Sequence, residues 1–89
     1  MKFFFLLERG LPTEALGVEF VGLPGCFSAG DTEQEALKNA ADALDMHIQE
    51  LLEIGEKIPE QKSKEEYEKE YAEQLQGAAY TLHEIEYAL

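Results

Sequence analysis

Cysteine, basic residues and long hydrophobic runs are all scarce in this chain of 89 residues. The single cysteine, Cys26, excludes an intramolecular disulfide, and chains without disulfides are typical of the reducing cytoplasm. The apolar run from Phe3 to Leu7 is interrupted at Glu8, which makes it too short for a signal-peptide core or a membrane span. We therefore predict a cytoplasmic protein that does not enter a membrane.

The charge of the chain is strongly one-sided. Seven Lys and Arg residues stand against 19 Asp and Glu residues, which gives a formal net charge of −12. Such a surface repels phosphate, so it disfavours a free-standing nucleic-acid binder and a binder of anionic membranes. It favours a basic protein as the partner, while acidity that serves only solubility remains the alternative.

The first third of the chain predicts strands and turns. Apolar and aromatic residues dominate Lys2–Arg9 and Val18–Leu23, and a short extended piece follows through Cys26, Phe27 and Ser28. The continuous first run is typical of a strand that is central or buried on both faces. The turn-rich stretch Gly10–Gly17 predicts a hairpin-type connection between the first two strands.

The period changes after Asp31, where Thr32 and Glu35 have the spacing of a capping box. Apolar residues then recur at helical steps along one face as far as Leu52, until Gly55 and Pro59 predict the end of the helix. The apolar residues of this face are Leu37, Ala40, Ala41, Leu44, Ile48, Leu51 and Leu52.

A second helix is predicted from the capping-box spacing of Ser63 and Glu66. It carries only a narrow stripe of Tyr67, Tyr71 and Leu75, so it fits either a short helix on the domain edge or a mobile segment that orders on a partner. Residues 78–89 alternate in polarity and predict a terminal strand.

The element order β-β-β-α-(α)-β predicts one α+β domain over residues 1–89. In it, an antiparallel sheet and the long helix packed across one of its faces form two layers.

Catalytic chemistry is disfavoured by the scatter of the reactive residues. Cys26 lies beside Phe27 without a base at any linked spacing, and we predict that both side chains pack in the interior. His47, His83 and Cys26 do not share a metal-ligand spacing, and no phosphate-binding glycine motif is present. We predict no catalytic residue, no metal site and no cofactor.

Residues 21–59 resemble the signature of HicB-like antitoxins, in which a Leu-Pro-Gly-Cys turn and a Gly-Asp-Thr helix start are followed by Gly-x-x-Ile-Pro. Val21 and Gly22 depart from this signature, because the family usually has Pro-Asp at these positions. The final stretch, YTLHEIEY, is similar to the last strand of the family. The residues that carry the structural signature are Leu23, Pro24, Gly25, Cys26, Gly30, Asp31, Thr32 and Glu35, and Ala36, Asn39, Ala43, Leu44, Gly55, Ile58 and Pro59 extend the match.

The resemblance implies a degenerate, partial RNase H-like fold and a non-catalytic antitoxin role. The implied partner is a small basic HicA-like ribonuclease that cleaves messenger RNA. The acids of the last strand, Glu84 and Glu86, are our candidate contacts for that partner. Self-association as a dimer or higher oligomer is also expected, because a small domain with sheet edges gains from it.

Three alternatives remain open at this stage. Full-length members of the family continue into a DNA-binding module, so the resemblance also admits a transcriptional autorepressor that binds DNA through a module supplied elsewhere. We predict that residues 1–89 form the antitoxin domain without that module. An orphan relative without a toxin is the second alternative. A metal-dependent nuclease is the third, and it is disfavoured because the first strand offers only Glu8 as a carboxylate, at its end.

Overall fold

The computed structural model describes residues 1–10 and 15–88. Its strands are β1 (Lys2–Glu8), β2 (Leu16–Val21), β3 (Phe27–Gly30) and β4 (Tyr80–Glu86), and its helices are α1 (Glu33–Glu53), α2 (Lys64–Glu70) and α3 (Ala72–Leu75). Residues 11–14, half of the predicted connection Gly10–Gly17, and the last residue of the predicted terminal strand, Leu89, lie outside the described residues.

The four strands form one antiparallel sheet in the order β3-β2-β1-β4. This arrangement confirms the predicted α+β class and the central place of β1. Each residue from Phe3 to Leu7 is buried. Because side chains alternate across a strand, Phe3, Phe5 and Leu7 face one side of the sheet, whereas Phe4 and Leu6 face the other.

The helix α1 covers the first face of the sheet. Ala36, Ala40, Leu44 and Ile48 are fully buried at four-residue steps and pack against a core that includes Phe5 and Phe20. The small alanines let the first half of the helix approach the strands closely. The predicted stripe is buried only in part, because Leu52 in the last turn is 53% exposed and Ala41 lies on the solvent side.

A smaller apolar cluster lies on the second face of the sheet. The Tyr67 ring of α2 packs against Phe4 at 5.5 Å between centroids, and the Tyr67 hydroxyl accepts a hydrogen bond from the Lys62 N–H at 3.2 Å. The predicted capping box is present, since Ser63 and Glu66 exchange side-chain to backbone hydrogen bonds. The predicted second helix therefore lies on the domain itself, although it is interrupted at Tyr71 and continues as α3.

We expect Tyr67→Ala to lower the free energy of unfolding by about 3 kcal/mol, because it removes a buried ring from between α2 and the sheet. Tyr67→Phe keeps the ring and loses only the hydroxyl contacts, so a loss of about 1 kcal/mol is expected. Urea unfolding monitored by circular dichroism measures both values. Equal stability of Tyr67→Ala and the wild type would show that α2 does not stabilise the sheet.

Candidate interaction surface

The signature segment begins with a tight turn between β2 and β3. The Cys26 N–H donates to the Leu23 carbonyl at 3.1 Å, and the Phe20 N–H donates to the Cys26 carbonyl at 3.1 Å. Gly25 occupies the third position of this turn with φ +85°, a conformation that favours glycine, and Pro24 pre-sets the second position. These signature residues therefore shape the chain rather than a chemical site.

The second half of the signature joins β3 to α1. A Cβ atom at Gly30 would lie 2.7 Å from Ala36 Cα, so only glycine lets the strand end run against the first turn of the helix. The Thr32 hydroxyl accepts from the Glu35 N–H at 3.1 Å, as predicted. The Glu35 carboxylate accepts from the Asp31 N–H at 3.2 Å, which is one residue before the position that a regular capping box uses.

Gly30→Ala is expected to lower the free energy of unfolding by about 2 kcal/mol, because the backbone that its methyl group would strike cannot move aside without shifting α1. Gly77→Ala is the matched control, since no atom lies within 4 Å of a Cβ there. Thermal and urea unfolding compare the two variants. A Gly30→Ala protein as stable as Gly77→Ala would contradict the close approach of strand and helix.

Cys26 is a buried structural residue. Its side chain is 2% exposed, its thiol lies 3.8 Å from the Ala43 carbonyl, and burial raises its pKa to about 11. A thiol with that pKa is protonated at neutral pH and is a poor nucleophile. Cys26 and His47 both line a shallow groove on the surface. No hydrogen bond joins the two side chains in the part of the chain that the structure describes.

The prediction that Phe27 packs beside Cys26 is wrong. Phe27 is 61% exposed, because neighbouring residues of an extended segment point to opposite faces and Cys26 already points to the α1 side. Phe27 therefore points to the second face, at the β3 edge of the sheet, where α2 and α3 leave it uncovered.

His83 lies at the edge of the core, where it packs against a phenylalanine ring. Its ring stacks on Phe5 at 5.2 Å with an interplanar angle of 14°, and Nε2 lies 2.8 Å from the Thr81 hydroxyl. Burial lowers the pKa of His83, Arg9 lowers it further and Glu33 opposes the shift. Because β4 and β3 are opposite edges of the sheet, His83 and Cys26 are not brought together.

The lowered pKa of His83 makes stability depend on pH. The pKa of His83 is about 6.5 in the unfolded chain and lower in the folded protein, so protonation favours the unfolded chain. The contribution of His83 to the free energy of unfolding is therefore present above pH 6.5 and is lost as the pH falls towards the folded-state pKa. We expect the stability difference between the wild type and His83→Phe to change between pH 8 and pH 5, because the variant keeps a stacking ring and does not titrate. Urea unfolding at several pH values measures this, and parallel profiles would contradict it.

Glu84 and Glu86, the predicted contact acids, lie at the exposed end of β4. Lys2 Nζ lies 3.4 Å from a Glu84 carboxylate oxygen, and the amino-terminal nitrogen lies 2.9 Å from a Glu86 carboxylate oxygen. A hydrogen bond from the amino terminus lowers the pKa of Glu86. Both carboxylates therefore have a cationic neighbour within their own chain.

An open groove of about 290 Å³ lies on the second face of the sheet, beside β3. We call it the Phe27 groove and define it by Leu6, Glu8, Glu19, Phe27 and Tyr80. Strand pairing places Glu19 between Phe27 and Leu6, because Glu19 pairs with both. Sequence reasoning missed this groove, since its residues come from four different strands.

Neither a metal-ligand cluster nor a membrane-spanning helix is found among the described residues. Among residues 1–10 and 15–88, no group of three or more His, Cys, Asp or Glu side chains is arranged to hold a metal ion. No helix in these two ranges is long and apolar enough to span a bilayer.

Comparison with protein families decides what kind of domain this is. The model of the HicB_like antitoxin of bacterial toxin–antitoxin systems matches residues 3–89. This chain belongs to the HicB-like antitoxin family. The family match confirms the resemblance to HicB-like antitoxins that the residues of the Leu23–Glu35 signature indicate.

Solved structures of HicB antitoxins share the fold of this HicB-like chain. The N-terminal domain of HicB from Burkholderia pseudomallei is 25% identical with a TM-score of 0.76, and each chain is covered completely. The longer HicB structure from the same organism has a TM-score of 0.77 and is covered over 64% of its length. A chain of the HicA3 and HicB3 toxin–antitoxin complex is 26% identical with a TM-score of 0.73, over 97% of this chain and 96% of that one.

Two curated proteins match shorter parts of the HicB-like chain. A 14.9 kDa protein of Haemophilus phage HP1 is 49% identical over 45 residues, which are 51% of this chain and 34% of the phage protein. A UPF0150 protein of Thermoplasma acidophilum is 42% identical over 48 residues, which are 54% of this chain and 70% of that protein. The match thus spans about a third of the length of the phage relative.

Proposed function

We propose that this chain is a non-catalytic antitoxin that binds a small basic HicA-type ribonuclease and blocks its access to RNA. The observation that carries the proposal is family membership over residues 3–89. The match to a chain of a HicA3–HicB3 complex over 97% of this protein supports the same type of partner.

The charge of the chain supports the proposed partner. A protein that binds RNA needs a basic surface, and a net charge of −12 attracts such a surface over a distance of several ångströms. Complementary charge mainly raises the association rate and selects against other acidic partners. Bound to the toxin, the acidic domain would occupy the surface that RNA requires.

The state of the reactive side chains supports a non-catalytic role. The Cys26 thiol is buried with a raised pKa, and His83 is stacked in the core edge. Inhibition by occupation of a surface requires neither group, since it depends on the area and charge of the contact alone.

The proposal also includes the cellular compartment and the oligomeric state. We place the complex in the cytoplasm, where an unpaired cysteine stays reduced and messenger RNA is accessible. Self-association is part of the proposal too, because β3 and β4 are sheet edges and exposed edges favour pairing between chains.

The test uses the purified product of the neighbouring toxin gene. We expect a stable complex in size-exclusion chromatography and suppressed cleavage of messenger RNA when the antitoxin is equimolar. Because charge steers the encounter, we expect the association rate in stopped-flow measurements to fall by about tenfold or more between 50 mM and 500 mM salt.

Polyglutamate of equal total charge is the control for non-specific inhibition by an acidic polymer. Inhibition by polyglutamate at the same concentration would assign the effect to charge alone. If the two proteins form no complex and cleavage is unchanged, the proposed function is lost.

A further inference from the structure

The second face of the sheet is covered only in part. Phe4, Leu6 and Val21 are buried under Tyr67 and the side chains around it, whereas Phe27 on the same face is 61% exposed. Burial of a phenylalanine ring removes a large apolar area from water, so an exposed ring on a paired strand is a ready contact for another molecule.

The two carboxylates of the Phe27 groove lack a cationic partner of their own. All seven Lys and Arg residues lie within the described part of the chain. In that part, ion pairs are formed by the amino terminus, Lys2, Arg9 and Lys62, and none of them reaches Glu8 or Glu19. These two acids differ in this respect from Glu84 and Glu86.

The same two acids share the groove with the aromatic side chains of Phe27 and Tyr80. Glu8 lies beside the Tyr80 hydroxyl and raises the pKa of Tyr80, to which Glu19 also contributes. Glu19 likewise raises the pKa of Tyr71, after burial and Glu70. The negative potential of the carboxylates therefore reaches both hydroxyls, of which the Tyr80 hydroxyl belongs to the groove, whose apolar floor is Leu6.

A guanidinium group matches this combination better than other chemical groups. It is planar, it is always charged, it pairs with carboxylates through two N–H groups and it stacks on aromatic rings. An ammonium group would satisfy the charge but not the ring faces to the same extent. An anionic or purely aliphatic side chain would leave both carboxylates without a cationic partner.

We propose that the Phe27 groove receives an arginine side chain of the basic toxin, with the guanidinium between Glu8 and Glu19 and against the Phe27 ring. This inference rests on the proposed function, because the toxin supplies the arginine. It places the main contact at the β3 side of the sheet, away from Glu84 and Glu86.

The test compares the affinity of the full-length toxin for variants of this chain by isothermal titration calorimetry. We expect Phe27→Ala to weaken binding about tenfold and Glu19→Gln about fivefold. Since both side chains would contact one guanidinium, the double variant should lose less than the product of the two effects. The matched controls are Glu53→Gln, at the last residue of α1, and Ile54→Ala, at the C-cap that follows it, where the side chain is 63% exposed. Both are expected to bind as the wild type does.

The outcomes distinguish failure of the groove proposal from failure of the proposed function. If the wild type binds the toxin, and Phe27→Ala and Glu19→Gln bind it as tightly as the wild type does, the groove is not the binding site for the arginine. The proposed antitoxin function would then stand. If the wild type does not bind, both proposals fall. If Phe27→Ala alters only self-association in sedimentation velocity, a second copy of this chain occupies the groove, and the arginine proposal is overturned.

Discussion

The fold depends on one constraint, which is that β1 buries five consecutive apolar side chains. Because they alternate across the strand, both faces of the sheet need cover at its centre, and both edges of β1 need a hydrogen-bonding neighbour. The helix α1 supplies one cover, and the shorter α2 with Tyr67 supplies the other. β2 and β4 complete the backbone hydrogen bonds on either side.

The two covers are unequal, and the difference has consequences for binding. The 21 residues of α1 lie along the first face, whereas α2 and α3 are short and are interrupted at Tyr71. The second cover is sufficient for Phe4 and Leu6 but does not extend to β3. The second helical segment thus covers the centre of the sheet, and its limited length leaves the Phe27 groove open.

Sequence reasoning succeeded where the signal is local. The apolar run Phe3–Leu7, the caps at Thr32 and Ser63 and the helix end near Gly55 each depend on residues within a few positions of one another. These signals were enough to predict the element order and the antiparallel α+β class.

The rest depends on contacts between distant residues. The extent to which α2 and α3 cover the second face determines whether Phe27 is buried, and no pattern near Phe27 shows that extent. Glu8, Glu19 and Tyr80 meet only because β1 pairs with both β2 and β4. One local clue to Phe27 was available: once Cys26 is placed in the core, strand alternation turns the next residue outward.

The pairing of the first strand with the last also affects how the protein is made. Lys2 pairs with Glu86, so β1 is synthesised before β4 and lacks one of its two neighbours until β4 has followed it. Contacts between such distant residues slow folding, because the chain must close a long loop before they form. During synthesis, a nascent chain with an aromatic strand exposed at one edge is a target for chaperones and proteases, and the folded protein appears only after the last strand has been added.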